Sequence, residues 1–275
     1  LIGRDKSIRD AAMKCMIKGV RLASRLGATI LGLGALTAPS THGGKDLVEE
    51  AEKNGIFITN GNSLTGGITS RAAIQAATQF GYNIEEERIA ILGACGSVGR
   101  SVSELLALQG YKLLCIDTND AKLKEFSTEM KNYGFENVEC SGDPSRIKES
   151  RISIIVTSAA QAIVTPDLLA PDALVYDDTQ PRNTSEDVIE MRPDVRIVDG
   201  GILEASDINF GIDIGLAPHL AYACLGETIL MAKDGCLEHH VGDCTWISAT
   251  NELSSLDRNY STLKIAKFRS FNKEI

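Results

Sequence analysis

The sequence predicts an α/β fold, in which a doubly wound parallel sheet is joined to a second α/β unit, and three observations predict it. From Arg88 onward, short apolar runs alternate with segments of helical period. Between the first such run and the first such helix lies a glycine-rich turn, Gly93-Ala94-Cys95-Gly96-Ser97-Val98-Gly99. Before this series stands a separate αβαβ series, and after it comes a further amphipathic segment beginning near Leu220.

Taken in order, Ile8 to Leu26 carries Ala11, Ala12, Cys15, Met16, Val20, Leu22 and Ala23 near helical period and stops at Gly27. Ala28 to Leu36 reads as a strand, Lys45 to Asn54 as a helix closed by Gly55, and Ile56 to Thr59 as a second strand. Leu64 to Phe80 reads as a long helix, and the charged run Glu85 to Glu87 marks a boundary. Beyond it the expected elements are strand Ile89 to Leu92, helix Val98 to Leu108, strand Lys112 to Ile116 and helix Ala121 to Tyr133. Further strands are expected at Ile152 to Thr157, Ala173 to Tyr176 and Arg196 to Val198, and a helix from Leu220 to Lys233. The tail from Gly235 to Ile275 is polar and weakly periodic. This divides the chain into a substrate-side α/β unit (1–86), a Rossmann-type dinucleotide-binding unit (87–208), and a returning helix and tail (209–275) that pack on the first unit.

Composition limits the function classes. With 43% hydrophobic and 24% charged residues, and no apolar run long enough for a bilayer, a membrane span is excluded. The net charge of −9 disfavours nucleic acid as a partner. Arg4, Lys6, Arg9, Lys14, Lys18, Arg21 and Arg25 gather positive charge near the N-terminus, either as a solvated helix face or as a patch for an acidic carrier. The seven cysteines are odd in number and scattered, which predicts a reducing, cytoplasmic setting. Leu1 in place of Met, with no signal-peptide pattern after it, suggests a truncated or processed N-terminus.

The glycine turn carries the most specific chemistry. Glycines at 93, 96 and 99 let the backbone approach a pyrophosphate, and the following helix supplies free N–H groups and a positive dipole end. Gly93, Cys95, Gly96, Ser97, Val98 and Gly99 are therefore the expected phosphate cradle. Asp117, at the end of the next strand, is placed to accept hydrogen bonds from the adenosine ribose and to repel a 2′-phosphate. This favours NAD(H), while Lys122 and Lys124 keep NADP(H) as the alternative. Thr157, Ser158 and Gln161 follow another strand at the carboxyl edge, where the nicotinamide half would lie. Asp177, Asp178 and Gln180 occupy the equivalent edge of the next strand, as turn formers or as site residues.

Other groups admit two readings. Asn60, Asn62, Ser63 and Thr65 stand where a strand gives way to a helix, as oxyanion donors or as a cap through Ser63. Cys224 lies in the amphipathic segment with Leu220, Glu227, Thr228 and Met231 on one face, so it is either a small buried hydrophobe or a nucleophile with Glu227 as acid or base. His219 falls on a different face and reads as a helix-start residue. Cys236, His239, His240, Asp243 and Cys244 supply ligand types, but their spacing fits no common zinc pattern and no metal is expected.

The segments GLGALT (32–37), TNGNSLTGG (59–67), AILGACGSVGRSV (90–102), VYDDTQPRN (175–183), VDGGILE (198–204) and YACLGETILMAKDG (222–235) together resemble long-chain acyl-[acyl-carrier-protein] reductases. The resemblance runs in order over roughly residues 5–235 and implies an oxidoreductase that converts an acyl thioester to an aldehyde. It places the acyl-accepting cysteine at Cys224, and it implies a thioester on acyl carrier protein or coenzyme A as partner, with a homo-oligomer allowed. Members of that family commonly use NADPH, whereas Asp117 argues for NADH, and the tail from Cys236 does not match. A second reading is similarity to shikimate-type dehydrogenases with direct hydride transfer. Their Lys and Asp pair has no obvious counterpart here, since Lys45 and Asp46 are adjacent in sequence. A third is a nucleotide-binding partner protein without turnover.

Overall fold

The computed structural model describes residues 6–34 and 37–275. Arg4 of the basic run, and Ala35 and Leu36 at the end of the first expected strand, lie outside the described residues. The first unit comprises α1 (Lys6–Arg25), β1 (Ile30–Gly32), α2 (Val48–Lys53), β2 (Phe57–Thr59) and α3 (Asn62–Gln79). β1 and β2 pair in parallel, with Ile30 opposite Phe57 and Gly32 opposite Thr59. The inner face of α1, from Met13, Met16, Ile17, Val20 and Ala23, packs on a small core with Leu47, Ala51, Ile56 and Ile58. Its cations Arg9, Lys14, Lys18, Arg21 and Arg25 face outward.

The alternation that begins at Arg88 produces β3 (Arg88–Leu92), α4 (Ser97–Leu108), β4 (Lys112–Ile116), α5 (Asp120–Asn132), β5 (Val138–Ser141), β6 (Ile152–Ile155), β7 (Leu174–Asp177), α6 (Val188–Met191) and β8 (Arg196–Asp199). These strands form one six-stranded sheet in the order β5-β4-β3-β6-β7-β8, and all its pairs are parallel. The order reverses at β3, so the crevice at the carboxyl ends of β3 and β6 is the switch point where such sheets bind ligands. β3, β6 and β7 read as continuous apolar runs because both sheet faces are covered.

The chain then forms β9 (Ile202–Glu204), β10 (Leu220–Tyr222), α7 (Ala223–Asp234), α8 (Trp246–Arg258), β11 (Lys264–Ile265), β12 (Arg269–Ser270) and β13 (Lys273–Glu274). β9 is the middle strand of an antiparallel sheet with β10 and β11. α7 packs against β1 and α3, and α8 against α3 and α4. α3 is thus enclosed by α4, α7 and α8, which explains its run of small residues: Ala72, Ala73, Ala76 and Ala77 are all buried. At Gly66 an added Cβ would stand 2.1 Å from the Ser101 hydroxyl, so the α3–α4 contact depends on a missing side chain.

Two expectations change here. The helix expected from Leu220 begins instead at Ala223, because Leu220–Tyr222 extends to pair with Ile202–Glu204. The tail is not featureless, since α8 is closed by a capping box in which Thr245 and Ser248 bond reciprocally. Its inward stripe includes Glu252 and Ser255, both buried, and this polarity weakens the hydrophobic period. Among the described residues, no helix is long and apolar enough to cross a membrane.

Candidate functional site

The glycine turn forms the tight link between β3 and α4. Gly93 has φ 92°, and a side chain there would meet the Val156 carbonyl oxygen at 2.9 Å. An added Cβ on Gly99 would lie 2.1 Å from the Gly93 carbonyl oxygen, so α4 is pressed onto the turn. Gly96 is the N-cap of α4 and offers no side-chain cap, which leaves the first N–H groups of α4 for an anion. The residues present therefore fit a dinucleotide pyrophosphate. Cys95 is buried with its thiol pushed up to about 12, chiefly by burial and then by Asp117, so it is an inert part of the turn. Asp117 accepts the Cys95 N–H at 3.1 Å through one oxygen and the Asn119 N–H at 2.9 Å through the other. A carboxylate has further lone pairs, so holding the turn does not exclude a ribose hydroxyl.

The thiol site is built from two helix starts. With α7 beginning at Ala223, Cys224 sits in the first turn, and the Leu225 N–H points at its sulfur. The N-terminal dipole end therefore acts on the thiol more directly than a start at Leu220 would allow. Burial, followed by the charge of Asp178, nevertheless pushes the half-buried thiol up to about 11. α3 starts close beside it: its N-cap is Gly61, not Ser63, and an added Cβ on Gly61 would be 2.4 Å from the Cys224 Cβ. Because α3 begins earlier than expected, Ser63 lies inside the helix and turns its hydroxyl toward Cys244. Asn60 donates to the carbonyls of Gly43 and Gly242, and its side-chain oxygen accepts the Asn62 N–H at 3.0 Å. Asn62 in turn donates to the Ser97 hydroxyl at 3.1 Å. That bond ties the thiol-side helix to the start of α4.

Glu227 is fully buried. Its Oε1 accepts the Thr59 hydroxyl at 2.5 Å and its Oε2 accepts the Leu64 N–H at 2.7 Å. It caps α3 from α7 and fixes the two helix starts together. Its contacts are those of a brace between β2, α3 and α7. His219 adopts φ 67° in an exposed turn before β10 and starts no helix.

At the strand edge, Thr157 donates to the Asn183 side-chain oxygen and accepts the Ala159 N–H. Asn183, which the sequence did not single out, also donates to the carbonyls of Ala159, Gln161 and Pro181 and so holds the loops after β6 and β7 together. Ser158 and Gln161 are exposed on the loop after β6. Asp177 accepts the Thr179 hydroxyl and the N–H groups of Asn183 and Thr184, which is a turn-forming role. Asp178, on the opposite side of the chain, takes the Thr69 hydroxyl of α3.

The histidines of the tail face different partners. His239 accepts the Ile58 N–H at 3.1 Å, whereas His240 Nδ1 lies 3.4 Å from both Glu227 and Glu252. The Cys236 sulfur is 3.6 Å from the His240 Nε2, and Cys244 is buried beside Ser248. Among the described residues, no group of three His, Cys, Asp or Glu side chains is arranged to hold a metal ion.

Sheet order, glycine turn and edge loops define the class, a Rossmann-type α/β protein of the kind on which dehydrogenases and reductases are built. No protein-family model matches the chain. It is similar to the aminotransferase PigE of a Serratia species, with 27% identity over 229 residues, which span 82% of this chain and 26% of that protein. It is also similar to the long-chain acyl-[acyl-carrier-protein] reductase of Synechococcus elongatus, with 23% identity over 240 residues, 82% of this chain and 67% of the reductase. The chain thus spans about a quarter of the aminotransferase and about two thirds of the reductase. Among solved structures, a dipicolinate synthase chain from Bacillus halodurans gives a TM-score of 0.41 at 18% identity, over 61% of this chain and 56% of that one.

Proposed function

We propose that this chain is an NAD(P)H-dependent oxidoreductase that reduces an acyl thioester to an aldehyde through an acyl-Cys224 intermediate. The observation that carries the reading is the placement of Cys224 in the first turn of α7, against the N-cap of α3, with Asn62 linking that point to Ser97 at the glycine turn. A thiol in the first turn of α7 has the N-terminal dipole end of that helix beside it for the negative charge that develops on sulfur. The similarity to an acyl-carrier-protein reductase supports the same substrate class. Sulfur attacks the carbonyl carbon, the C–S bond to the carrier breaks, and the carrier leaves as a thiol. Bound nicotinamide supplies a hydride to the acyl-enzyme, and Asp117 supports NADH as its source. The carrier is an acyl carrier protein or coenzyme A.

Lys45 and Asp46 do not favour the dehydrogenase alternative. Asp46 pairs with the exposed His42 at 2.7 Å, while the Lys45 side chain lies against Gly242. The test is intact-mass analysis after incubation with acyl-coenzyme A or acylated carrier protein without nicotinamide. An added acyl group should map to Cys224, NADH should release it as aldehyde, and Cys224→Ala should abolish both. Native aldehyde formation by Cys224→Ala would overturn the intermediate and restore direct hydride transfer.

A further inference from the structure

α1 has two apolar faces, and only one of them is covered. Met13, Met16, Ile17, Val20 and Ala23 turn inward onto Leu47, Ala51, Ile56 and Ile58. On the opposite side Ile8, Cys15 and Leu22 stand seven residues apart, with Ala11 and Leu26 beside them, and all five are exposed. Ile8 is 45% exposed, Leu22 49% and Leu26 77%. At the helical repeat of 3.6 residues per turn these five fall within a sector of about 60°, so they form one stripe along the outer face. A contiguous exposed apolar stripe of this kind marks a contact surface.

Charge lies along one edge of that stripe. Lys14, Lys18, Arg21 and Arg25 follow it for three turns, about 16 Å. Arg21 is held by Glu50 at 2.7 Å, whereas Lys14, Lys18 and Arg25 make no ion pair among the described residues. The other edge over the same turns is Ala12, Met16, Gly19 and Ala23, with Arg9 beyond it in the first turn. This one-sided layout selects the occupant. Two copies of α1 related by a two-fold axis would set the cationic row against itself if antiparallel, and against the uncharged edge if parallel. Neither arrangement supplies carboxylates. A helix lying in a lipid surface has both edges at the headgroups and is served by cations on both. A partner helix whose apolar residues are flanked on one side by carboxylates matches the stripe and the row together.

We propose that the outer face of α1 is the docking surface for an acidic carrier protein that delivers the thioester. This rests on the thioester reading given above and takes acyl carrier protein, not free coenzyme A, as the carrier. The carrier's apolar residues lie on Ile8, Cys15 and Leu22, and its carboxylates run along Lys14, Lys18 and Arg25. Because the whole chain carries a net charge of −9, an acidic partner is repelled by the average surface and steered to this row, which makes the encounter sensitive to salt. Docking on α1 also leaves the thiol side uncovered. Ile58 of β2 faces the α1 core, whereas its neighbour Thr59 meets Glu227 of α7 and Gly32 of β1 meets Thr228. α1 and α7 therefore lie on opposite faces of β1–β2, and the acyl arm of a docked carrier has one two-stranded pair to pass on its way to Cys224.

The test titrates the chain calorimetrically with holo acyl carrier protein at low and high salt. Binding should weaken as salt rises, and it should fall at least tenfold when Lys14, Lys18 and Arg25 are all changed to Glu. Leu22→Asp should weaken it as well, which gives a reading through the apolar stripe if the triple variant does not fold. Bound carrier should slow alkylation of the exposed Cys15, mapped by peptide mass. In turnover the triple variant should raise KM for acylated carrier at least tenfold and leave KM for acyl-coenzyme A within about twofold of native. Equal carrier binding by native protein and both folded variants would overturn the proposal. So would a dimer that Leu22→Asp dissociates, or binding to anionic lipid vesicles in place of the carrier. If native protein does not bind the carrier but acyl-coenzyme A acylates Cys224, the docking surface fails and the thioester reading stands. If the carrier docks as stated but never acylates Cys224, the surface stands and the thioester reading fails.

Discussion

Gly61 and Cys224 are in contact across the starts of two helices. An added Cβ on Gly61 would lie 2.4 Å from the Cys224 Cβ and 2.5 Å from its Cα. Gly61 also has φ 73°, in the left-handed region. Residue 61 is thus constrained twice, by backbone conformation and by lack of space, and the consequence is that both helix starts converge on one sulfur.

Gly61→Ala should therefore do more than loosen a turn. Left-handed backbone costs about 1 kcal/mol for a residue with a Cβ, and forced overpacking adds about 1–3 kcal/mol. For a chain of this size the melting temperature should fall by several degrees, and alkylation of Cys224 should change because α7 must move away. Calorimetry and thiol mapping read the two effects. A melting temperature and a thiol reactivity both equal to native would show that the close approach is absent.

Much of this arrangement was legible in the sequence. The β3–α4 turn could be read because its glycines lie between a strand of continuous apolar residues and a helix of clear period. The start of α7 could not, since Leu220 to Tyr222 has the same apolar character in a strand or a helix, and only its pairing with β9 decides. Glu227 shared a helix face with Cys224 in the sequence, but its partners Thr59 and Leu64 lie far back in the chain and leave no local signal. Asp178 is similar: the doublet Asp177-Asp178 marks a strand edge, but which carboxylate closes the turn and which faces α3 depends on the register of β7.

Cofactor choice should follow Asp117. Because its carboxylate is fixed beside the glycine turn by Cys95 and Asn119, a 2′-phosphate brought to that place would meet a held negative charge. Native protein should bind NADH more tightly than NADPH by fluorescence titration. Asp117→Ser should narrow the preference, and it should also loosen the turn by removing the acceptor for the Cys95 N–H. NADPH binding tenfold tighter to the native chain would refute the assignment.

The cluster under α8 should make stability fall as pH rises. His240 lies 3.4 Å from both Glu227 and Glu252, and the hydrogen bond to Glu227 raises its affinity for a proton. Burial, then the charge of Glu227, pushes Glu252 up to about 7. A raised carboxyl binds its proton more tightly in the folded chain, so its contribution is fully present below the ordinary carboxylate range and is lost as pH rises through about 7. The raised histidine acts in the same direction at higher pH, its contribution being complete below its ordinary value and lost as pH climbs past the raised one. Glu252→Gln removes one titration and the neighbouring negative charge, so it should gain stability relative to native protein between pH 5 and pH 8, by an amount on the order of 2 kcal/mol. Thermal unfolding across that range measures the difference. A difference that does not change with pH would mean that Glu252 is already ionised at pH 5 and that His240 is held by Glu227 alone.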